Sequence, residues 1–332
     1  MNKCLITKLN GSCDNKELLR IEEMRVHFAK VDSPTSVTQG KTFAFAKNAE
    51  LEIIGDAYFT NANLSANLGK KITIPANSEV GFFVSNADCD ISILDKYSLT
   101  KFNGWVEGVG SYSNNISFSL EDLKYSTTLE SIDMLHASVT GDIANLNNLT
   151  SLHVISLKGA SVTGDIANLQ NLTSLTDITL PGATSITGDI ANLKNLTSLK
   201  YVDLYGASIT GDIAQLEACS NIGYLRLPNN VVGDLARLPA KCYFVSLMGD
   251  NTATYTWSSR SSSSNIFGIE SNILVTNVDK MLQDLAQCQA AIPASGASWY
   301  KTISVLGNRT SASDDAVSAL QQKGYTISIA KA

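Results

Sequence analysis

Charged residues are scarce in this chain, and they form no basic run. Asp, Glu, Lys and Arg make up 17% of the 332 residues, and the formal net charge is −6. Proteins that bind nucleic acid or an anionic membrane surface by electrostatic attraction present clustered Lys and Arg side chains. The composition therefore argues against both kinds of partner.

Long apolar runs are also missing. No stretch approaches the roughly 18 consecutive apolar residues that indicate a membrane-spanning helix, so we expect no membrane insertion. The first eight residues, Met-Asn-Lys-Cys-Leu-Ile-Thr-Lys, contain no apolar segment of a secretory signal. These two absences predict a protein that is made in the cytoplasm without a leader.

Patterns of catalytic residues are equally hard to find. The three histidines, His27, His136 and His153, lie far apart, and the last two do not occupy equivalent positions in their repeats. The chain has no Gly-x-Ser-x-Gly nucleophile motif and no phosphate-binding glycine fingerprint. We therefore predict that it is not an enzyme and uses no cofactor.

The six cysteines, at positions 4, 13, 89, 219, 242 and 288, show no metal-site spacing, so no metal is predicted. Cys219 stands where neighbouring repeats have Leu172 and Leu196, which favours a buried free thiol. A disulfide between Cys219 and Cys242 is the alternative, and synthesis in the cytosol argues against it.

The chain does contain one phrase that recurs at regular intervals. Thr-Gly-Asp-Ile begins at Thr140, Thr163, Thr187 and Thr210, and a degenerate copy, Val-Gly-Asp-Leu, begins at Val232. The aspartates of successive copies are 23, 24, 23 and 22 residues apart. A period of this size with apolar residues in phase predicts a stacked solenoid.

Within one repeat, the apolar positions predict one short strand between tight turns. Leu149, Leu152, Ile155 and Leu157 are separated by three, three and two residues, and the offset of two indicates the strand. The pattern resembles the leucine-rich repeat, and the added Thr-Gly-x-Ile resembles its subtype from plant receptor ectodomains. The resemblance implies an α/β solenoid with a parallel β-sheet and mostly short 3-10 or turn segments on the convex side.

The turn after each strand departs from this family. Leucine-rich repeats normally place an Asn there, whereas this chain has Ala in four repeats and fits the pattern only at Asn230. The Ala positions are Ala137, Ala160, Ala183 and Ala207. Because Ala cannot satisfy buried backbone groups, we expect those groups to pair between coils or to bind water.

Two domains are predicted. Residues 1–112 show short alternating strands typical of a small all-β, sandwich-like domain. Residues 113–332 form the solenoid, with regular repeats from about 123 to 249 and C-terminal α/β repeats from about 265 to 332. In that last part, Val278, Met281, Leu282 and Leu285 follow helical spacing, and Ser313 is predicted to cap a second helix that ends at Gly324.

One acidic residue recurs in every repeat, so stacking would bring the carboxylates into a column. The five positions are Asp142, Asp165, Asp189, Asp212 and Asp234. Coils lie about 4.8 Å apart, so the charges repel unless something compensates them. We favour a structural role in which each Asp accepts backbone N–H groups at a turn. Calcium bound between stacked carboxylates is the alternative.

The candidate binding surface is the concave side of the predicted sheet. The N-terminal coils carry small residues there, such as Ser131 and Ser156, whereas the C-terminal coils gather aromatic and charged side chains. The predicted binding residues are Tyr201, Asp203, Tyr205, Tyr224, Arg226 and Phe244. Tyr and Arg dominate binding hot spots. The alternative is that these tyrosines are simply good strand formers.

The N-terminal sequence carries a second resemblance. The segments MNKCLITKLNGSCDNKELLRIEEMRV, GDAYFTNANLSANLGKKITI and ISILDKYSLTKF look like the opening module of structural proteins of crAss-like and other tailed phages of gut bacteria. This resemblance implies a virion fibre or decoration protein, made in the host cytoplasm. Its N-terminal domain would bind other virion proteins, and its repeats would bind a host-surface protein or glycan.

Two other functions remain open at this point. One is a bacterial leucine-rich-repeat adhesin at the cell surface, and the other is a cytosolic protein-interaction module. The sequence also leaves open whether the protein is a homo-oligomer.

Overall fold

The computed structural model describes residues 24–28, 41–54, 57–59, 71–81, 83–85, 89–93, 99–103, 116–134, 137–247, 249, 252–256, 260, 262–290 and 299–331. His136, Cys4, Cys13 and the side chain of Cys89 lie outside this description, as do most residues of the phage-like segments. The chain divides into two compact units, residues 1–161 and residues 162–332.

The described residues of the first unit form strands and 3-10 helices, the latter at Leu120–Leu123 and Ile143–Leu146. The strands are β1 (Met24–Phe28), β2 (Lys41–Phe45), β3 (Ala49–Ile54), β4 (Ala57–Phe59), β5 (Lys71–Ile74), β6 (Glu79–Gly81), β7 (Phe83–Ser85), β8 (Cys89–Ile93), β9 (Leu99–Asn103), β10 (Ile116–Ser119), β11 (Ser131–Asp133), β12 (Ser138–Asp142) and β13 (Val154–Ser156).

Both main sheets of this unit change from antiparallel to parallel pairing where the repeats begin. Strand β1 pairs antiparallel with β8 and β10, and β10 then pairs in parallel with β12. Strand β9 pairs antiparallel with β2 and in parallel with β11, which pairs with β13. The N-terminal strands therefore continue directly into the sheets of the first coils. The boundary at residue 112 stays a prediction.

The core of the first unit contains aromatic side chains from both sheets. Phe102 of β9 and Phe118 of β10 pack with ring centroids 4.6 Å apart. Phe45 and Leu51, from the N-terminal strands, are also fully buried. Burial of each such side chain contributes about 1.5–3 kcal/mol relative to exposure.

The second unit repeats one coil, and its first elements alternate between two parallel sheets and short 3-10 helices. The strands are β14 (Ser161–Asp165), β15 (Asp177–Thr179), β16 (Ile186–Asp189), β17 (Tyr201–Asp203), β18 (Ser208–Asp212), β19 (Tyr224–Leu227), β20 (Val231–Val232), β21 (Phe244–Leu247), β22 (Thr252–Ala253), β23 (Gly268–Val275), β24 (Thr302–Leu306) and β25 (Thr326–Ala330). The 3-10 helices are Ile166–Leu169, Ile190–Leu193, Ile213–Leu216, Leu235–Arg237, Trp299–Lys301 and Ser311–Ser313.

The strand order confirms the predicted leucine-rich-repeat architecture. Strands β15, β17, β19, β21, β23, β24 and β25 pair in parallel in that order. Each coil buries the same apolar positions, as Leu172, Leu175 and Ile178 do in one repeat. The Ser-x-Thr-Gly-Asp segments and Val231–Val232 of the degenerate copy add a second parallel sheet, β14–β16–β18–β20, which the sequence prediction did not include.

Backbone groups in the Ala-containing turns pair between coils, one of the two predicted solutions. The N–H of Leu180 donates to the Asp203 carbonyl, and that of Leu204 donates to the Arg226 carbonyl, each at 2.8 Å. The Ala207 N–H donates within its own turn, to the Leu204 carbonyl at 3.1 Å. These turns therefore satisfy these backbone groups without an Asn side chain.

Two helices appear in the C-terminal coils, as predicted. They are α1 (Val278–Gln287) and α2 (Asp314–Gln322). Ser313 is the N-cap residue of α2, as predicted, but its side chain makes no capping hydrogen bond; its hydroxyl donates instead to Asp279 Oδ1 at 2.5 Å. Asp279 also accepts from the Thr310 N–H at 3.1 Å, so it links α1 to the segment before α2.

Candidate recognition face

The parallel register of β17, β19 and β21 brings three aromatic residues into one column. Tyr201 lies opposite Tyr224, and Tyr224 lies opposite Phe244. The rings of Tyr201 and Tyr224 stack with centroids 4.1 Å apart and an angle of 3°, and those of Tyr224 and Phe244 with 5.1 Å and 22°. Because coil spacing is close to ring-stacking distance, a repeated aromatic position produces a stack.

Tyr300 belongs to the same buried hydrophobic cluster as Tyr224 and Phe244. We call Tyr201, Tyr224, Phe244 and Tyr300 the aromatic ladder. Tyr224 and Phe244 are only 8% and 6% exposed, whereas Tyr201 is half-buried. The rings of Tyr224 and Phe244 therefore stabilise the fold, whereas the ring of Tyr201 is more accessible to a partner.

Beside the ladder, a buried carboxylate holds an arginine in place. Asp203 is 6% exposed and accepts the Tyr205 N–H at 3.1 Å, and its Oδ2 lies 3.7 Å from Arg226 Nη1. The Arg226 guanidinium lies over the Tyr205 ring, 4.2 Å from its centroid. A cation–π contact and an ion pair together fix the guanidinium, while 35% of the arginine side chain remains exposed.

Burial raises the pKa of three phenols at this face, those of Tyr201, Tyr224 and Tyr243. A side-chain hydrogen bond between Tyr201 and Tyr224 raises the pKa of Tyr201 further and lowers that of Tyr224. The largest cause of all three shifts is burial, which disfavours the charged phenolate. The phenols are therefore neutral hydrogen-bonding groups at neutral pH.

Tyr243 and Tyr300 also belong to this cluster, although the sequence pattern did not predict them. Their rings meet edge to face with centroids 6.1 Å apart. A Cβ at Gly223 would lie 2.6 Å from the Tyr243 ring, and one at Gly268 would collide with the Tyr300 carbonyl. The two glycines thus leave space for these tyrosines. Other coils carry a side chain at the equivalent positions, so the glycines are the sequence signal that could have indicated a bulky neighbour.

All six predicted binding residues lie on β17, β19, β21 or the turn after β17, within one unit. We call the outward surface formed by Tyr201, Tyr205, Arg226 and Tyr243 the recognition face. Each of these four side chains is partly exposed. The other three predicted residues are nearly buried and support this surface: Asp203, Tyr224 and Phe244. Their role in binding remains a prediction.

Each aspartate of the column caps a 3-10 helix. The carboxylates of Asp142, Asp165, Asp189, Asp212 and Asp234 each accept the N–H of the residue two positions later, at 2.7, 2.8, 2.8, 2.9 and 3.0 Å. Capping of this kind explains why Asp recurs without invoking an ion. Among the described residues, no group of three or more His, Cys, Asp or Glu side chains is placed to hold a metal.

The glycine before each aspartate is required by the neighbouring coil. Gly188 and Gly211 have φ angles of +113° and +119°, which L residues rarely adopt. A Cβ on Gly211 would also collide with Oδ1 of Asp189, and one on Gly188 would collide with Oδ1 of Asp165. Gly and Asp therefore recur together because the carboxylate of one coil lies against the glycine of the next.

Three cysteines of the second unit are buried free thiols, as predicted. They are Cys219, Cys242 and Cys288. Burial raises the pKa of Cys219 and of Cys242 to about 11. Cys219 fills the predicted leucine position and is fully buried.

No protein-family model matches this chain, and no curated protein sequence matches it. Solved structures with a similar fold include internalin C2 from Listeria monocytogenes, at 17% identity and a TM-score of 0.43, over 72% of this chain and 85% of that one. A leucine-rich-repeat protein from Leptospira interrogans is similar at 12% identity and a TM-score of 0.37, over 62% and 50%. The Arabidopsis receptor kinase HAESA, solved with a peptide hormone and a co-receptor, is similar at 18% identity and a TM-score of 0.38, over 59% and 30%.

No helix in the described part of the chain is long and apolar enough to cross a membrane.

Proposed function

We propose that the chain is a non-enzymatic binding protein that recognises a partner through the recognition face. The observation that carries this proposal is the fixed Arg226 guanidinium beside partly exposed tyrosines. Rigid aromatic and arginine side chains lose little conformational freedom on binding, so they supply most of the energy in typical interfaces. Here stacking and ion pairing hold Arg226 in place before any partner arrives.

We further propose that the protein is a virion fibre or decoration protein. Its N-terminal domain would attach to other virion proteins, and the recognition face would contact a host-surface protein or glycan. Support for this assignment comes from the N-terminal sequence resemblance to structural proteins of gut-bacterial phages. Mass spectrometry of purified particles from the source phage or culture tests it directly. Absence of the protein from particles would favour a bacterial adhesin or a cytosolic interaction module.

Binding is tested with purified full-length chain and candidate gut-bacterial cells or extracted surface material. Tyr205→Ala and Arg226→Ala remove exposed groups and leave the buried ladder intact. If either residue is a central hot spot, its loss should weaken binding by about 2 kcal/mol, roughly thirtyfold. Thr187→Ala and Thr210→Ala, on the exposed side of the second sheet, are matched controls and should bind like the wild type. Equal affinity in all variants would contradict the proposed face.

A further inference from the structure

The last strand of the second unit, β25, forms one edge of its sheet. It pairs in parallel with β24, with Ile327 opposite Ile303 and Ile329 opposite Val305. Ile303 and Val305 are 0% and 2% exposed, whereas Ile327 and Ile329 are only half-buried. In the part of the chain that the structure describes, no strand pairs with the other side of β25. The stacked apolar side chains of the sheet therefore end at Ile327 and Ile329, which are partly exposed to solvent.

This edge lacks the features that usually prevent strands from pairing with other chains. The strand reads Thr-Ile-Ser-Ile-Ala, with no charged residue and no proline, and its register with β24 shows no bulge. Natural edge strands are commonly blocked by lysine, proline or a bulge, and terminal repeats of solenoids need a polar outer surface. An unblocked edge is a surface to which another strand can add.

The backbone shows which groups face outward. The Ala330 carbonyl accepts a hydrogen bond from the Gly307 N–H at 2.9 Å, so the peptide groups of Ala330 face β24. Because a strand alternates with a period of two, those of Ser328 and Thr326 also face β24. The N–H and C=O groups of Ile327 and Ile329 therefore face the free edge, where each can exchange two hydrogen bonds with an antiparallel partner.

A second copy of the same strand matches these groups. When two β25 strands run antiparallel about a two-fold axis at Ser328, Ile327 of one copy lies opposite Ile329 of the other. Both pairs then exchange their free backbone hydrogen bonds, and the four isoleucine side chains meet on one side of the joined sheet. The contact is isologous and closes after two copies.

The charge near this edge does not oppose the arrangement. Lys331 is exposed just after β25. In this register it lies opposite Tyr325 of the second copy, so the two Lys331 side chains of a dimer lie at opposite ends of the paired strands and do not face one another.

We propose that the chain forms a two-fold dimer by antiparallel pairing of β25 about Ser328. The dimer joins two second units edge to edge and doubles the recognition face. This inference stands on the edge strand alone and does not depend on what the recognition face binds.

Cysteine cross-linking tests the register. The Cα atoms of a non-hydrogen-bonded antiparallel pair are about 4.5 Å apart, within the range of about 4.4–6.8 Å that a disulfide spans. Ser328→Cys in the full-length chain should therefore form a covalent dimer under mild oxidation. Thr326→Cys and Ala330→Cys should each remain uncross-linked alone and should cross-link to one another when mixed. The oxidised wild type gives the background from the native cysteines.

Light scattering across a concentration series tests the association itself. The wild type should approach the dimer mass. Ile329→Pro removes an N–H that faces the free edge and should yield a monomer, whereas Ile329→Ala keeps that N–H and should yield a weaker dimer. A wild type that stays monomeric up to about 0.1 mM would overturn the proposal. A monomer whose β25 edge binds a different protein would overturn it as well. So would a dimer whose Ser328→Cys variant fails to cross-link. If the proline variant fails to fold, the cross-linking pattern decides.

Discussion

Replacing Gly211 with alanine tests how the Asp column and the glycines depend on one another. Gly211 has a φ of +119°, and a Cβ there would collide with Oδ1 of Asp189. Backbone strain of this kind costs about 1–3 kcal/mol. Moving the Asp189 carboxylate breaks its 2.8 Å hydrogen bond from the Ala191 N–H, which costs about 1 kcal/mol more. We therefore expect Gly211→Ala to lower the free energy of unfolding by about 2–4 kcal/mol.

Gly182→Ala is the matched control. Its φ is +80°, but no atom lies within 4 Å of the Cβ position, so only the backbone strain of about 1–2 kcal/mol applies. Urea unfolding followed by circular dichroism gives both values from the transition midpoints. Equal costs for the two variants would refute the contact between the Asp189 carboxylate and Gly211.

A double-mutant cycle tests the contact between Asp189 and Gly211 separately from the backbone strain at residue 211. In an Asp189→Ala background the cap is already lost, so adding Gly211→Ala should cost about 1 kcal/mol less than it does in the wild type. Asp189→Asn should retain the cap and cost little. Strictly additive effects of Asp189→Ala and Gly211→Ala would contradict the account.

Three further predictions concern the ladder and the thiols. Tyr224→Ala should destabilise the fold by about 3 kcal/mol in urea because it empties a buried stack, and a loss below about 1 kcal/mol would contradict a supporting role. Because the folded-state pKa of Tyr201 is raised, the unfolded chain loses that proton first, so stability should fall as pH rises above about 10. Tyr201→Phe should reduce this alkaline loss, and an unchanged loss would argue against the shift. The three buried thiols should react with a thiol reagent at pH 8 only as the chain unfolds: Cys219, Cys242 and Cys288. Peptide mapping follows the labelling of each, and fast labelling of the folded chain would contradict their burial.

The strongly periodic features of the chain were predictable because each repeat restates them. The in-phase Leu and Ile positions predicted the buried columns, and the spacing of Val278, Met281 and Leu285 predicted α1. The second parallel sheet was missed because its strands have only one buried residue before the glycine, such as Val162. Alternation over three residues is too short to distinguish a strand from a turn.

The arrangement of the recognition face was only partly predictable. Column positions follow from the repeat, so Tyr201, Tyr224 and Phe244 could be placed together. Their burial could not be predicted, because the buried cluster also includes Tyr300, which lies outside the regular repeats. The position of Ser313 at the start of α2 was predictable, but the partner of its hydroxyl was not, because Asp279 lies 34 residues away in the sequence.

The central claim is that the recognition face binds a surface partner. Its most direct test compares retention of labelled full-length chain on candidate gut-bacterial cells with that of a Tyr201→Ala, Tyr205→Ala, Arg226→Ala triple variant. Circular dichroism first establishes that the triple variant is folded, and a Thr187→Ala, Thr210→Ala variant controls for surface change. We expect the wild type and the control to be retained, and retention of the triple variant to fall by at least about thirtyfold. Retention of the folded triple variant at the wild-type level would contradict it.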